Sequence, residues 1–282
     1  MKNSIYLGLS IVLIFLGPTG CQKNATTKPP LVTVEETNNK TDIKKVVLTE
    51  PIKTIEDYFL NEIDLKGPAN LQQIADRLSE SQVSQVEEIT IIDEGANINS
   101  LQGAAAFENL KNLRIDHSQI KDFDGLKGDS KIEELALISS KVDSLESLPK
   151  KMGIKTLYLN YCPLEDLGDL RQLTELRDLS VCGTKISGLD GEKLPHSLRY
   201  LGLRETKIKS LKAIESTFSF VETIDLSHGA VESVDDIKDF GRVQQIGLYN
   251  NPVMEQFRDK DGNVPQMVDY KGVSLIFVEP DF

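Results

Sequence analysis

The stretch Leu198-Arg199-Tyr200-Leu201-Gly202-Leu203-Arg204-Glu205-Thr206-Lys207-Ile208 decides the fold, because its pattern recurs along the chain. Counting Leu198 as position 1, aliphatic residues stand at positions 1, 4 and 6. A small residue follows at position 9 and another aliphatic at position 11. Leu110, Leu113, Ile115, Ser118 and Ile120 form the same figure, as do Ile132, Leu135, Leu137, Ser140 and Val142. Ile154, Leu157, Leu159, Cys162 and Leu164 follow, then Leu176, Leu179, Val181, Thr184 and Ile186. After the quoted stretch come Val221, Ile224, Leu226, Gly229 and Val231, and last Val243, Ile246, Leu248, Asn251 and Val253. A looser copy begins at Val86 with Ile89 and Ile91 and resumes at Ile98 after a two-residue insertion. The starts at 86, 110, 132, 154, 176, 198, 221 and 243 are separated by 24, 22, 22, 22, 22, 23 and 22 residues.

Alternation around positions 3 to 7 is the period of a short strand with one buried face. A strand that returns at constant spacing predicts one strand per repeat, stacked in parallel over a shared core. Position 9 falls where the chain leaves the strand, and a polar side chain there can bond the backbone of a neighbouring turn. Aliphatics at positions 11, 14 and 17 are too far apart for a second long strand, so short helical turns or extended segments are expected opposite it. This pattern resembles the leucine-rich repeat, and its 22-residue length the internalin-type and phosphatase-regulator-type class. The resemblance implies an α/β leucine-rich repeat solenoid, curved, with parallel strands on its concave face, and eight copies over residues 86–253.

Open solenoid ends expose core and need caps. Residues 51–85 are read as an N-terminal helical cap: Ile55, Tyr58, Phe59, Leu71, Ile74, Ala75 and Leu78 have helical spacing, and Gly67-Pro68 divides the stretch. Residues 254–282 are read as the C-terminal cap, with a strand over Gly272 to Val278.

The N-terminus differs from all of this. Lys2 precedes an uncharged apolar run from Ile5 to Leu16, too short for a helix across a bilayer and the right length for the core of a signal peptide. The run ends in Gly17-Pro18-Thr19-Gly20-Cys21, which resembles the lipobox of bacterial lipoproteins, although Pro18 stands where that family usually has an aliphatic residue. The resemblance implies a signal peptide over residues 1–21, lipidation of Cys21 and a membrane anchor in the cell envelope. Gln22 after the cysteine resembles the sorting signal for the outer membrane where the host has two. Residues 22–50 are rich in Asn, Thr, Lys and Glu, without a sustained period, and read as a flexible tether.

The net charge of -12 repels phosphate backbones, which excludes nucleic acid as an expected partner. Catalysis is not expected either. His117 and His228 both hold position 8, five repeats apart, which is roughly 24 Å at one strand spacing per repeat. His196 lies in a connecting loop. Asp225, Ser227 and His228 are close in sequence but read as solvated strand residues. Asp259-Lys260-Asp261-Gly262-Asn263 lacks the glycine and glutamate spacing of a calcium loop and reads as a polar turn. Cys162 at the inward position 9 and Cys182 at the outward position 7 should diverge rather than pair. No cofactor and no metal are expected.

What remains is a surface. The resemblance implies a ligand on the concave face, where the outward positions carry Arg114, Asp116, Ile138, Tyr158, Asn160, Tyr161, Tyr200, Arg204, Asp225 and Tyr249. Tyrosine and arginine are the residue types enriched in binding hot spots. The expected chain is a monomer that binds a protein without catalysis; the alternative is an envelope-structural or adhesive role on a glycan or a host surface. If Cys21 carries lipid, metabolic palmitate labelling should appear on the wild type and vanish in Cys21→Ala; equal labelling of both would contradict it.

Overall fold

The computed structural model describes residues 32–34, 46–48, 53–56, 69–92, 97–235 and 237–279. Cys21 and the signal-peptide residues lie outside them. The strands are β1 Val32–Val34, β2 Val46–Leu48, β3 Thr54–Glu56, β4 Ala69–Asn70 and β5 Glu88–Ile91. Next come β6 Ile98–Ser100, β7 Asn112–Ile115, β8 Glu134–Ala136, β9 Thr156–Tyr158 and β10 Asp178–Ser180. Then follow β11 Tyr200–Gly202, β12 Thr223–Asp225, β13 Gln245–Gly247, β14 Met267–Tyr270 and β15 Val273–Ile276.

Each repeat contributes one strand at positions 3 to 5. The eight strands β5 and β7 to β13 stack in parallel, in sequence order, within one eleven-stranded sheet. Register never slips: Leu113 faces Leu135, Leu135 faces Leu157, Leu157 faces Leu179, and so on to Ile246. These position-4 side chains and their position-6 companions are fully or almost fully buried, and the aliphatics at position 11 join them in a single core. This is the leucine-rich repeat solenoid that the sequence pattern predicts.

Two backbone ladders hold the stack. The position-2 amide of each repeat donates to the position-2 carbonyl of the repeat before, as from Lys111 to Glu87 and from Arg177 to Lys155, both at 2.8 Å. On the far side, Gln119 donates to Ile98, Lys141 to Ile120, Lys207 to Ile186 and Val253 to Val231 at 2.8–2.9 Å. Several position-2 side chains pair with opposite charges in the neighbouring turns. Glu87 lies between Lys53 and Lys111, Lys155 pairs with Glu133, and Glu222 with both Arg199 and Arg242. Such exposed pairs stabilise little but favour the correct register. The side opposite the sheet is made of extended segments and 3₁₀ turns, over Ala104–Ala106, Gly191–Lys193, Leu211–Thr217 and Pro252–Phe257. The seven-residue turn lies in the repeat that is one residue longer.

Position 9 performs the expected work unevenly. Ser118 and Ser140 bond each other at 2.7 Å, and Thr184 and Thr206 donate back to Val181 and Leu203. Asn251 does most. Its amide donates to Leu226, Leu248 and Tyr249 carbonyls, and its Oδ1 accepts from Val231 N–H at 2.9 Å. A Cβ on Gly229 would come within 2.9 Å of that same Oδ1. The missing side chain in one repeat is therefore replaced by the asparagine of the next.

The ends correct the sequence reading. Thr54–Glu56 is not helical: it is β3, which extends the sheet in parallel with β5 and buries Ile55 opposite Ile89. Among the described residues helix is confined to two short pieces, α1 Leu71–Ala75 and α2 Glu80–Val83, each with a capping box from Asn70 or Ser79, while Tyr58, Phe59 and Gly67-Pro68 lie outside the described residues. A five-residue helix presents Leu71, Ile74 and Ala75 to the core, so the apolar spacing is obeyed over one turn only. Pairing with an open sheet edge satisfies more backbone groups than an isolated turn of helix could. At the other end β15 joins β13 in parallel, as expected of the terminal strand, and an unforeseen β14 folds back antiparallel on it. Within the tether segment, β1 and β2 pair antiparallel.

Asn251→Ala should strand the Val231 amide and the Leu226 carbonyl and lower stability by roughly 2–3 kcal/mol. Urea unfolding should show a lower midpoint with an unchanged slope; an unaltered midpoint would remove Asn251 from the account.

Candidate interface on the strand face

Outward side chains come from positions 3, 5 and 7, and position 8 adjoins them. At position 8 the backbone turns left-handed in every repeat from the second on: His117, Ser139, Tyr161, Gly183, Glu205, His228 and Asn250 have φ between 54° and 66°. That conformation costs a non-glycine residue about 1 kcal/mol or more. It persists because the position-8 amide then reaches the position-7 carbonyl of the next repeat, as from His117 to Ile138 and from Tyr161 to Cys182. It also aims position-8 side chains along the rim of the strand face. Tyr161 uses this: its ring lies across Gly183, where a Cβ would be 2.2 Å from Cδ1, and its hydroxyl donates to Glu205 Oε1 at 3.2 Å.

Seven of the ten expected interface residues are accessible. Tyr161 is 52% exposed, while Arg114, Ile138, Tyr158, Tyr200, Arg204 and Tyr249 are half-buried. Asp116, Asn160 and Asp225 are not surface: they are 3%, 7% and 1% exposed. Neighbouring strands stand so close that a short side chain on this face is covered by longer ones beside it. Each of the three is used locally. Asp116 receives Arg114 through Nε and Nη2 at 2.8–3.2 Å. Asn160 Oδ1 accepts from Ser180 Oγ and from the Cys182 amide, and Asp225 Oδ1 accepts from the Ser227 amide at 2.9 Å.

The apparent triad is likewise not solvated. Asp225 and Ser227 are both buried, and they fill the space above Gly247, whose Cβ would stand 2.8 Å from Asp225 Oδ1 and 3.2 Å from Ser227 Oγ. Burial raises the Asp225 pKa, against the pull of Ser227, Arg204 and His228. His228 does not face the serine: its Nε2 is 2.9 Å from Glu279 Oε2, and Asn250 Nδ2 donates to its Nδ1 at 3.1 Å. Tyr249 packs edge-on to the imidazole at 5.3 Å. No nucleophile, base and oxyanion hole are assembled here.

Glu279 is a residue that sequence reasoning missed. It follows β15 and accepts from Arg204 Nη2 at 3.0 Å as well as from His228. Desolvation pushes its pKa up, but the bonds from His228 and Arg204 outweigh this and hold it below the usual carboxylate range. Its place could have been found by continuing the repeat count through Leu275, the register partner of Ile246, which makes Glu279 a position-8 residue. Glu134 and Asp178 occupy position 3 of the same template. Burial raises the pKa of both, and it raises Tyr158 to about 12, with Glu134 and Asp178 adding to the effect.

The thiols point apart. Cys162 Sγ donates to Leu137 O at 3.0 Å, and Cys182 Sγ lies 3.2 Å from Ser180 Oγ. Cys182 occupies an outward position yet is buried, for the reason that covers Asp225. Burial lifts both thiol pKa values, that of Cys162 to about 11, which keeps them protonated and unreactive. The Asp259 carboxylate accepts from the Asp261 and Asn263 amides and so closes its own turn. Among the described residues no group of three or more His, Cys, Asp or Glu side chains is placed to hold a metal, and no helix is long and apolar enough to cross a membrane.

No protein-family model matches this chain, and no curated protein does. Among solved structures 155 chains match. One is YopM from Yersinia enterocolitica WA-314, with a TM-score of 0.41 and 17% identity; the match covers 63% of this chain and 44% of that one.

Gly183→Ala should push the Tyr161 ring off the rim and break its bond to Glu205. The expected result is a loss of roughly 1 kcal/mol or more from the strained φ, together with changed Tyr161 ring resonances in NMR spectra. An unshifted Tyr161 would contradict the described packing.

Proposed function

We propose that this chain is a non-catalytic, protein-binding lipoprotein of the bacterial cell envelope, with a 22-residue internalin-like repeat class and its ligand on the strand face. One observation carries the reading. Tyr158, Tyr161, Tyr200 and Tyr249 stand accessible on one face, beside Arg114 and Arg204, each arginine oriented by a carboxylate of its own. Large side chains already held in place lose little entropy on binding, which is how rigid aromatic anchors and braced arginines gain affinity. The anchoring half of the proposal rests on Lys2, the apolar run from Ile5 and the small residues before Cys21. Lipid at Cys21 and the segment up to about residue 50 would hold the solenoid off the membrane with this face available.

A photo-crosslinking residue in place of Tyr161, in the native host, should capture a defined protein. Tyr158→Ala with Tyr249→Ala and Arg204→Glu should lower that capture at least tenfold while circular dichroism still shows a cooperative melt. Unchanged capture would contradict the proposal, as would binding confined to a glycan array.

A further inference from the structure

The chain leaves the sheet after β15, and the segment that follows is held differently from what precedes it. Phe277 is buried, and its amide donates to Gln266 O at 2.8 Å. Val278 and Glu279 are exposed, and neither makes a backbone hydrogen bond among the described residues. What fixes them is one side chain. Glu279 Oε1 accepts from Arg204 Nη2 at 3.0 Å, and its two oxygens lie 3.0 and 2.9 Å from His228 Nε2. The carboxylate therefore reaches back from beyond β15 to residues that follow β11 and β12, at the rim of the strand face.

The two donors are set from below. The Arg204 and His228 side chains are 16% and 28% exposed, against 49% for Glu279, so the carboxylate lies outermost. Tyr249 packs edge-on against the imidazole at 5.3 Å, and Asn250 Nδ2 donates to its Nδ1 at 3.1 Å. With Nδ1 accepting, the ring proton stands on Nε2 and points at the carboxylate. Of the other carboxylates nearby, Glu205 accepts from the Tyr161 hydroxyl, and Asp225 is buried with its Oδ1 taken by the Ser227 amide.

We propose that Glu279 is an intrasteric plug: Arg204 and His228 form a seat for a glutamate side chain of an extended partner segment, which takes the place of Val278-Glu279. The occupant is argued from the one now seated there. Guanidinium and imidazole N–H groups converge on its carboxylate at 2.9–3.0 Å, the separation of charge-assisted hydrogen bonds. Exchanging it for another carboxylate costs the fold little, because an exposed ion pair adds little stability and Val278 has no burial to lose. The tether gives Glu279 a high effective concentration, so a carboxylate with no other contact does not displace it. A partner segment that also covers Tyr249 and Tyr161 does. The plug thus screens out acidic segments that lack the rest of the contact. Seated about nine-tenths of the time, it lowers the apparent affinity of a competitor about tenfold.

The plug rests on the reading of the strand face as a protein-binding surface, and it can fail alone. The full chain would be titrated with a blocked tetrapeptide, Ala-Val-Glu-Ala, and with its glutamine analogue, following the His228 imidazole resonances by NMR. Glu279→Ala should bind the glutamate peptide about tenfold more tightly than the wild type does. Glu279→Gln, which keeps the shape of the side chain, should also bind it more tightly, and the glutamine peptide should gain from neither change. Arg204→Gln added to Glu279→Ala should remove the gain while circular dichroism still shows a cooperative melt. A purely structural clamp predicts the opposite: Glu279→Ala would melt lower and bind the peptide no better than the wild type, and that result would overturn the plug. Equal binding of the two peptides would overturn it too. Ala-Val-Ala with a free C-terminal carboxylate, if it bound as tightly as the glutamate peptide, would overturn the assignment to a side chain. If the gain is missing while crosslinked capture through Tyr161 persists, the binding face stands without the plug.

Discussion

Everything in this structure depends on the chain returning, every 22 residues or so, to hydrogen-bonding distance of its previous turn. One parallel strand of three residues is far too short to be stable alone, and a hydrophobic stripe one residue wide cannot form a core. Repetition solves both problems together. The position-2 and position-10 amide ladders fix the height of each turn, and the position-4, position-6 and position-11 aliphatics fill the space the ladders enclose. The same constraint forces position 8 into the left-handed region, since only there does its amide reach the next carbonyl. The rim of the strand face follows from that, because position 8 is where Tyr161 and His228 project.

Much of this is legible in the sequence because it is periodic. Starts, strand positions, core residues and the role of position 9 all follow from spacing. Leucine at position 4 can point only inward once strands stack in register. What spacing does not carry is lateral crowding. Asp116, Asn160 and Asp225 sit at outward positions and are buried, since their fate is decided by Arg114, Tyr200 and other long neighbours from adjacent repeats. Two glycines mark where this happens: Gly202 makes room for Ser180 and Tyr200, and Gly247 for Asp225 and Ser227. The pattern lies in the position-5 and position-7 residues taken as columns across the repeats rather than along the chain.

The ends of the solenoid obey a different constraint. Ile55 fits a helical period with the apolar residues that follow it, but the first repeat leaves the backbone groups of β5 open on one edge. A strand meets that demand and a helix does not. Local periodicity lost to a tertiary hydrogen-bonding requirement. The C-terminal strand was visible as an apolar run, whereas β14 was not: Met267 to Tyr270 alternates in burial only weakly and is defined by pairing with β15.

Hydrogen exchange resolved to single amides tests the central claim, that one ladder runs unbroken from β3 to β15. The slow amides should recur at the same positions in each repeat and should include Glu87, bonded to Lys53, and Ser274, bonded to Gln244. Protection without that period, or fast exchange at Glu87 and Ser274 while the central repeats stay closed, would contradict it.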